Sequence, residues 1–187
     1  MKKGKIIIIS GPSGSGKTTL YKKLLENHSS LVKSISVTTR PKRPGEIHGK
    51  DYIFVTPEKF LYKIKAGHFL EHQKVFGNYY GTPSKSVKDL LKSGKNVLLC
   101  IDVKGANVVI KKFSNAKRIF IKTPTLSELK KRLLKRASEN AISADIRLKT
   151  ARDELKESKK YDHIIINDDL NSAFQKLTSK VDQILKE

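Results

Sequence analysis

The chain contains no tryptophan, one cysteine and one methionine among its 187 residues, and its acidic residues are few. A lone thiol, Cys100, excludes any intramolecular disulfide, and its place in the apolar run from Val97 to Ile101 predicts a buried, unreactive side chain. Aromatic residues make up 7% of the chain, too few for a platform on which successive bases of a single-stranded nucleic acid would stack. No apolar stretch approaches the roughly twenty residues that a membrane-spanning helix needs. The opening Met1-Lys2-Lys3-Gly4 leads into a run too short for the apolar region of a secretory leader, so a cytoplasmic location is expected.

The scarcity of acids is matched by an abundance of bases. Lysine and arginine number 39 against 18 aspartate and glutamate, a formal net charge of +21. The excess is spread along the chain rather than gathered in one block, which is the pattern of solvated helix faces. A basic cleft that steers small anions is the functional alternative, and specific nucleic-acid binding is not expected. A length of 187 residues suits a single domain with one complete core.

Against this plain background one motif stands out. Gly11-Pro12-Ser13-Gly14-Ser15-Gly16-Lys17-Thr18 follows directly on the apolar run Ile6 to Ile9, placing a G-x-x-x-x-G-K-T loop where a strand ends and a helix begins. Glycines there let successive backbone N–H groups turn inward onto a polyphosphate. Lys17 reaches the β and γ phosphates, and the Thr18 hydroxyl is the candidate Mg²⁺ ligand.

The periodicity predicts strands at Lys5–Ser10, Lys95–Asp102, Arg118–Lys122 and His163–Asn167, each followed by a helical stretch, the first of them Gly16–Asn27. Alternation of this kind implies an α/β fold in which helices flank a mostly parallel sheet, with ligands at the carboxyl ends of its strands. Two segments interrupt it. Residues 34–83 are rich in Thr, Tyr, Phe and Gly, with β-like runs at Tyr52–Val55, Phe69–Lys74 and Asn78–Thr82, and suggest a small inserted β lobe. Residues 130–155 form a charged helical hairpin carrying Arg132, Arg136 and Arg147.

The β lobe gathers Ser36, Arg40, Arg43, Tyr52, Glu71, Tyr80 and Thr82. Two guanidiniums can hold a phosphate bidentately while phenols add neutral hydrogen bonds to its remaining oxygens. A carboxylate in a pocket accepts from two adjacent N–H groups, a pair that guanine presents at N1 and N2 and adenine lacks, having an acceptor at N1.

The stretch Ser34-Ile35-Ser36-Val37-Thr38-Thr39-Arg40-Pro41-Lys42-Arg43-Pro44-Gly45-Glu46, then Gly49-Lys50-Asp51-Tyr52 and Gly77-Asn78-Tyr79-Tyr80-Gly81-Thr82, closely resembles guanylate kinase, and with the phosphate loop the likeness spans essentially the whole chain. Spacing alone stops at a phosphoryl-transfer enzyme; the resemblance sets the substrate. It implies a P-loop NTPase core (residues 1–33, 84–129 and 156–187), a GMP-binding lobe (34–83) and a mobile lid (130–155). It implies that Gly11, Pro12, Ser13, Gly14, Ser15, Gly16, Lys17, Thr18 and Thr19, with Asn167, bind ATP. Arg40, Arg43, Tyr52 and Tyr80 would hold the GMP phosphate, and Ser36, Glu71, Thr82 and Asp102 would surround the guanine. Lys17, Arg132, Arg136 and Arg147 would neutralise the transferred group, with Mg²⁺ held through Thr18.

The expected partners are therefore ATP and GMP, with neither nucleic acid nor membrane, in a monomer or homodimer. A silent binding module of the same kind would lack a working phosphate loop or the lid cations, and this chain has both.

The chain departs from the family's usual pattern in three places: Cys100 stands where an acid is usual, Lys104 where a glutamine is, and the pair Ala137-Ser138 where Gly-Thr is. A thiol does not replace a carboxylate in organising Mg²⁺, which prefers hard oxygen ligands. Arg136→Ala is expected to lower turnover by roughly 10³-fold while leaving GMP affinity far less affected. Unchanged turnover in a steady-state assay would remove the role assigned to that arginine.

Overall fold

The structure, a computed structural model, describes residues 3–136 and 141–187; Ala137, Ser138 and the side chain of Arg136 lie outside what it describes. Strand β1 (Ile6–Ser10) enters the phosphate loop, and helix α1 (Lys17–Asn27) leaves it. Next come β2 (Leu31–Lys33), β3 (Val37–Thr38), β4 (Ile53–Phe54), α2 (Pro57–Lys65), β5 (Phe69–Val75) and β6 (Asn78–Pro83). The chain continues through α3 (Ser84–Lys92), β7 (Asn96–Cys100), α4 (Val103–Lys112), β8 (Lys117–Lys122), α5 (Leu126–Arg136), α6 (Ala141–Glu157), β9 (His163–Ile166) and α7 (Leu170–Lys186).

Five of these strands form a parallel sheet in the order β2-β7-β1-β8-β9. Because helices cover both faces, β1 is apolar at consecutive rather than alternate positions. Ile6 and Ile8 join a core with Val87 and Leu91 of α3 and with Val103, Ala106 and Val109 of α4. Ile7 and Ile9 point the other way, onto Leu20 and Leu24 of α1 and Leu177, Val181 and Ile184 of α7. Register aligns Ile9 with both Cys100 and Ile119, so β1, β7 and β8 present their carboxyl ends side by side below the phosphate loop.

A second sheet, β4-β3-β6-β5, occupies the inserted segment. Its own small core is built on Phe60 of α2, whose ring stacks on Phe69 at 4.6 Å and on Tyr79 at 5.3 Å between centroids. The periodicity does not indicate β2, β3 or α2. The strands of two and three residues carry no readable period, but α2 carries its signals openly: Thr56 at the N-cap accepts from Lys59 N at 3.3 Å, and Pro57 opens the helix. The strand expected at Lys95–Asp102 ends at Cys100, because Asp102 instead caps α4. The helical hairpin begins earlier than the charge pattern indicated, at Leu126.

Candidate active site

The loop between β1 and α1 has no room for side chains at two of its glycines. Gly11 adopts φ +148°, and a Cβ there would lie 2.1 Å from the carbonyl oxygen of Ile121; Gly16 adopts φ +87°, and a Cβ there would lie 2.1 Å from Nδ2 of Asn167. Gly16 is also the N-cap of α1 and offers no side-chain cap, so the N–H groups of the first helical turn face outward as an anion site. Lys17 Nζ donates to the Pro12 carbonyl at 3.3 Å, while Thr18 and Thr19 are exposed on the first turn. The Ser15 hydroxyl is fully buried without a hydrogen-bond partner among the described residues. An open groove of about 610 Å³ is lined by Pro12, Gly14, Gly16, Lys17 and Thr18 together with Lys22 and Lys23.

Asn167 is the strut of this loop. It is 4% exposed, and its side-chain amide donates to the Ser15 carbonyl at 2.8 Å. Its own backbone N–H donates to Lys122 at 2.7 Å. The Asn167 carbonyl accepts from Arg132 at 3.0 Å, and Arg132 also donates to the Asp168 carbonyl at 3.4 Å and to Glu128 at 2.8 Å. Asn167, expected beside the adenine, thus has its amide turned onto the loop, and Arg132, expected on the phosphates, has donors engaged by the 167–168 turn and by Glu128. Arg147 differs: its Nε is buried with no hydrogen-bond partner among the described residues.

Across the cleft the β lobe presents a buried carboxylate. Thr82 Oγ1 donates to Glu71 Oε1 at 2.5 Å, with Thr82 at 0% and Glu71 at 6% exposure. Glu71 reaches the start of α4, where a Cβ on Gly105 would sit 2.5 Å from Glu71 Oε2. Asp102 lies beside them, its Oδ1 accepting from Gly105 N at 2.7 Å. Burial lifts the Glu71 carboxyl to about 7, against the Thr82 hydrogen bond and with the Asp102 charge adding to the rise. Burial raises Asp102 as well, opposed by the Gly105 N–H and then by Lys17.

Arg40, Tyr52 and Tyr80 also come together. The Arg40 guanidinium lies 5.5 Å from the Tyr52 ring, and the Tyr52 and Tyr80 rings meet edge-on at 6.2 Å. Glu46 accepts from Arg40 at 2.7 Å and from the Arg43 backbone N–H at 2.8 Å, which closes the 40–46 loop on itself. Arg43 is exposed and its guanidinium has no partner among the described residues; Ser36 is half-buried beside β4, its carbonyl accepting from Ile53.

A family model described as guanylate kinase matches residues 3–184. The chain belongs to the guanylate kinase family. Guanylate kinase of Clostridium perfringens (strain 13 / Type A) is 46% identical over 175 residues, 94% of this chain and 81% of that protein. Guanylate kinase of Wolbachia pipientis wMel is 46% identical over 177 residues, 94% of this chain and 88% of that protein. The crystal structure of guanylate kinase from Anaplasma phagocytophilum superposes with a TM-score of 0.81 at 35% identity, covering 98% of this chain and 87% of that one. The fold is accordingly that of a P-loop phosphotransferase, and the chain is a nucleotide-binding enzyme of that class.

Family membership sharpens the departures. Cys100 keeps partial exposure, because it ends β7 where the sheet opens onto the cleft, in place of the full burial its apolar neighbours suggested. Burial still pushes its thiol up against the pull of Lys17, so it stays protonated and unreactive. An acid that the sequence pattern does not single out stands nearby. Glu154 on α6 feels Lys17, Asp102 and Lys104, and burial lifts its carboxyl to about 7. It reads in sequence as one more charge on a charged helix, and only the packing of α6 over the cleft distinguishes it.

Among the described residues no three His, Cys, Asp or Glu side chains converge as a metal site. The Thr18 hydroxyl, exposed on the first turn of α1, is a hard oxygen donor, which suits a Mg²⁺ ion that keeps its waters and the phosphate oxygens of a nucleotide.

The Glu71 carboxyl titrates near 7 when folded and near its ordinary 4.5 when unfolded. Above both values each state is charged and the folded state carries the full cost of burying that charge. As pH falls through 7 the folded state takes up a proton first, the cost fades, and this group's contribution to stability rises. Glu71→Gln keeps an acceptor for Thr82 without the charge. It is expected to melt above the wild type at about pH 8 and to lose that advantage by about pH 5. A melting difference independent of pH would show that Glu71 does not titrate in this window.

Proposed function

We propose that the chain transfers the γ-phosphoryl group of Mg-ATP to GMP, and to dGMP, giving ADP and the corresponding diphosphate. The observation that carries this reading is the buried Glu71–Thr82 pair facing the start of α4. A carboxylate held there accepts from the N1–H and N2–H₂ edge of guanine and meets an acceptor at N1 of adenine. The family's name and the relatives' names support the same acceptor.

In this reading residues 34–83 close over GMP and residues 130–155 close over ATP, on a core made of the remainder. Arg40, Tyr52 and Tyr80 take the acceptor phosphate, Arg40 exchanging Glu46 for a phosphate oxygen, and Arg43 swings in from solvent. Ser36 and Asp102 complete the guanine pocket. The attacking phosphate oxygen is already anionic near neutral pH, so no general base is required. What remains is to align two mutually repelling anions and to neutralise charge on the group in flight. Lys17 and the loop N–H groups would hold the donor phosphates, and Arg147 of α6, whose buried Nε has no partner among the described residues, would turn to them on closure. Arg136 adds a second lid cation, and Arg132 holds the lid base to the loop through Asn167. Thr18 would hold Mg²⁺, which would supply charge neutralisation on the donor phosphates when bound with ATP.

A coupled assay of ADP release with Mg-ATP and GMP, AMP, CMP or UMP tests the proposal. Turnover with GMP is expected to exceed that with AMP by about 10⁴-fold, the discrimination reached by sites that hydrogen-bond their substrate. Comparable turnover with AMP and GMP would overturn it.

A further inference from the structure

The hairpin joining β5 to β6 is closed by two residues, Phe76 and Gly77, between the paired Val75 and Asn78. Both have positive φ, +47° for Phe76 and +84° for Gly77, the geometry of a type I′ turn. Asn, Asp or Gly is the usual first residue of such a turn, and a bulky aromatic in the left-handed region is an outlier. Phe76 is the only non-glycine residue with positive φ among those described, and it is 43% exposed, so neither turn chemistry nor core packing accounts for the ring. A costly residue held where folding does not require it points to a role in function.

What the ring meets is Arg147. The guanidinium carbon lies 5.1 Å from the Phe76 centroid, across the cleft from α6 to the tip of the β lobe. Arg147 Nε is buried and without a hydrogen-bond partner among the described residues, so the contact they give this guanidinium is the aromatic face. Seven residues on, two helical turns along the same face of α6, Glu154 lies within the field of Lys17 and Asp102. The face that carries Arg147 is thus the one turned toward the phosphate loop.

We infer that Phe76 is a positioning residue for phosphoryl transfer, a cation–π latch that orients Arg147 toward the transferred group and couples closure of the lid to the position of the β lobe. The inference rests on the kinase reading above. An aromatic face is suited to the task because it attracts a guanidinium without consuming its N–H donors, which stay available to phosphate oxygens.

Steady-state kinetics with Mg-ATP and GMP provide one test. Phe76→Leu is expected to lower kcat about tenfold, the order of one lost cation–π contact, with KM for GMP within about twofold. Phe76→Tyr should restore the rate, and Phe76→Leu should have no further effect when Arg147 is already Ala. Wild-type kcat in Phe76→Leu, or the same tenfold loss in the Arg147→Ala background, would overturn the latch.

A second readout is independent of activity. The chain has no tryptophan, so Phe76→Trp carries the only indole. Its emission maximum and its quenching by iodide are expected to change when Arg147→Ala is added, with or without nucleotide; identical emission and quenching in the two proteins would overturn the contact. A wild type that fails to phosphorylate GMP would instead overturn the kinase reading and leave the fluorescence comparison standing.

Discussion

The rest of the structure depends on how tightly the β1–α1 loop is pressed against its surroundings. Its backbone runs so close to Ile121 and Asn167 that no Cβ fits at Gly11 or Gly16, and the same closeness turns its N–H groups toward the cleft. Asn167 fixes that arrangement through the Ser15 carbonyl, and Arg132 fixes α5 through the Asn167 carbonyl. Leu129 and Leu133 of α5 come within 3.3 Å of where a Cβ of Gly14 would stand. The phosphate loop, the turn after β9 and the base of the helical hairpin are consequently one connected unit, and a movement of α5 is felt at the loop.

Opposite this unit the constraint is electrostatic. Glu71 is buried in a chain with more than twice as many bases as acids, yet the Asp102 charge adds to the cost of its own, and Lys112, which donates to the neighbouring Leu70 carbonyl at 2.6 Å, offsets it only in part. Its charge is tolerated because Thr82 donates to it, and a ligand bringing two further N–H donors would relieve the burial of that charge. The site is therefore destabilised when empty and charged, and a base of the right donor pattern would remove the instability. The wider positive charge of the chain, +21 in formal terms, is spread along its length and acts only at longer range, weakening as salt is added.

Much of this was legible in the sequence, for identifiable reasons. The phosphate loop announces itself because its glycines, its lysine and its threonine lie at fixed local spacing between a strand and a helix. The four longer strands of the main sheet are readable because their apolar runs are unbroken. Strands β2 and β3 are too short for any period to emerge, and each pairs with a strand more than forty residues away. Long-range contacts hide in the same way. Asn167 bracing Ser15 joins residues 152 apart, and Glu154 is distinguished from its charged neighbours only by facing the cleft. The partner of Arg40, Glu46, lies within the same motif six residues on, but a loop of that length has many closures and sequence does not choose among them. Cys100 shows the opposite error, since an apolar neighbourhood predicts burial and only the end of β7 at the cleft explains its exposure.

The claim on which everything else turns is that the Glu71–Thr82 pocket reads the N–H edge of a purine. Titration calorimetry with GMP, IMP and AMP at a pH well above 7 measures it without any turnover. The account predicts the order GMP, then IMP, which keeps N1–H but lacks the N2 amine, then AMP with no measurable heat of binding. Equal affinity for GMP and AMP would contradict it.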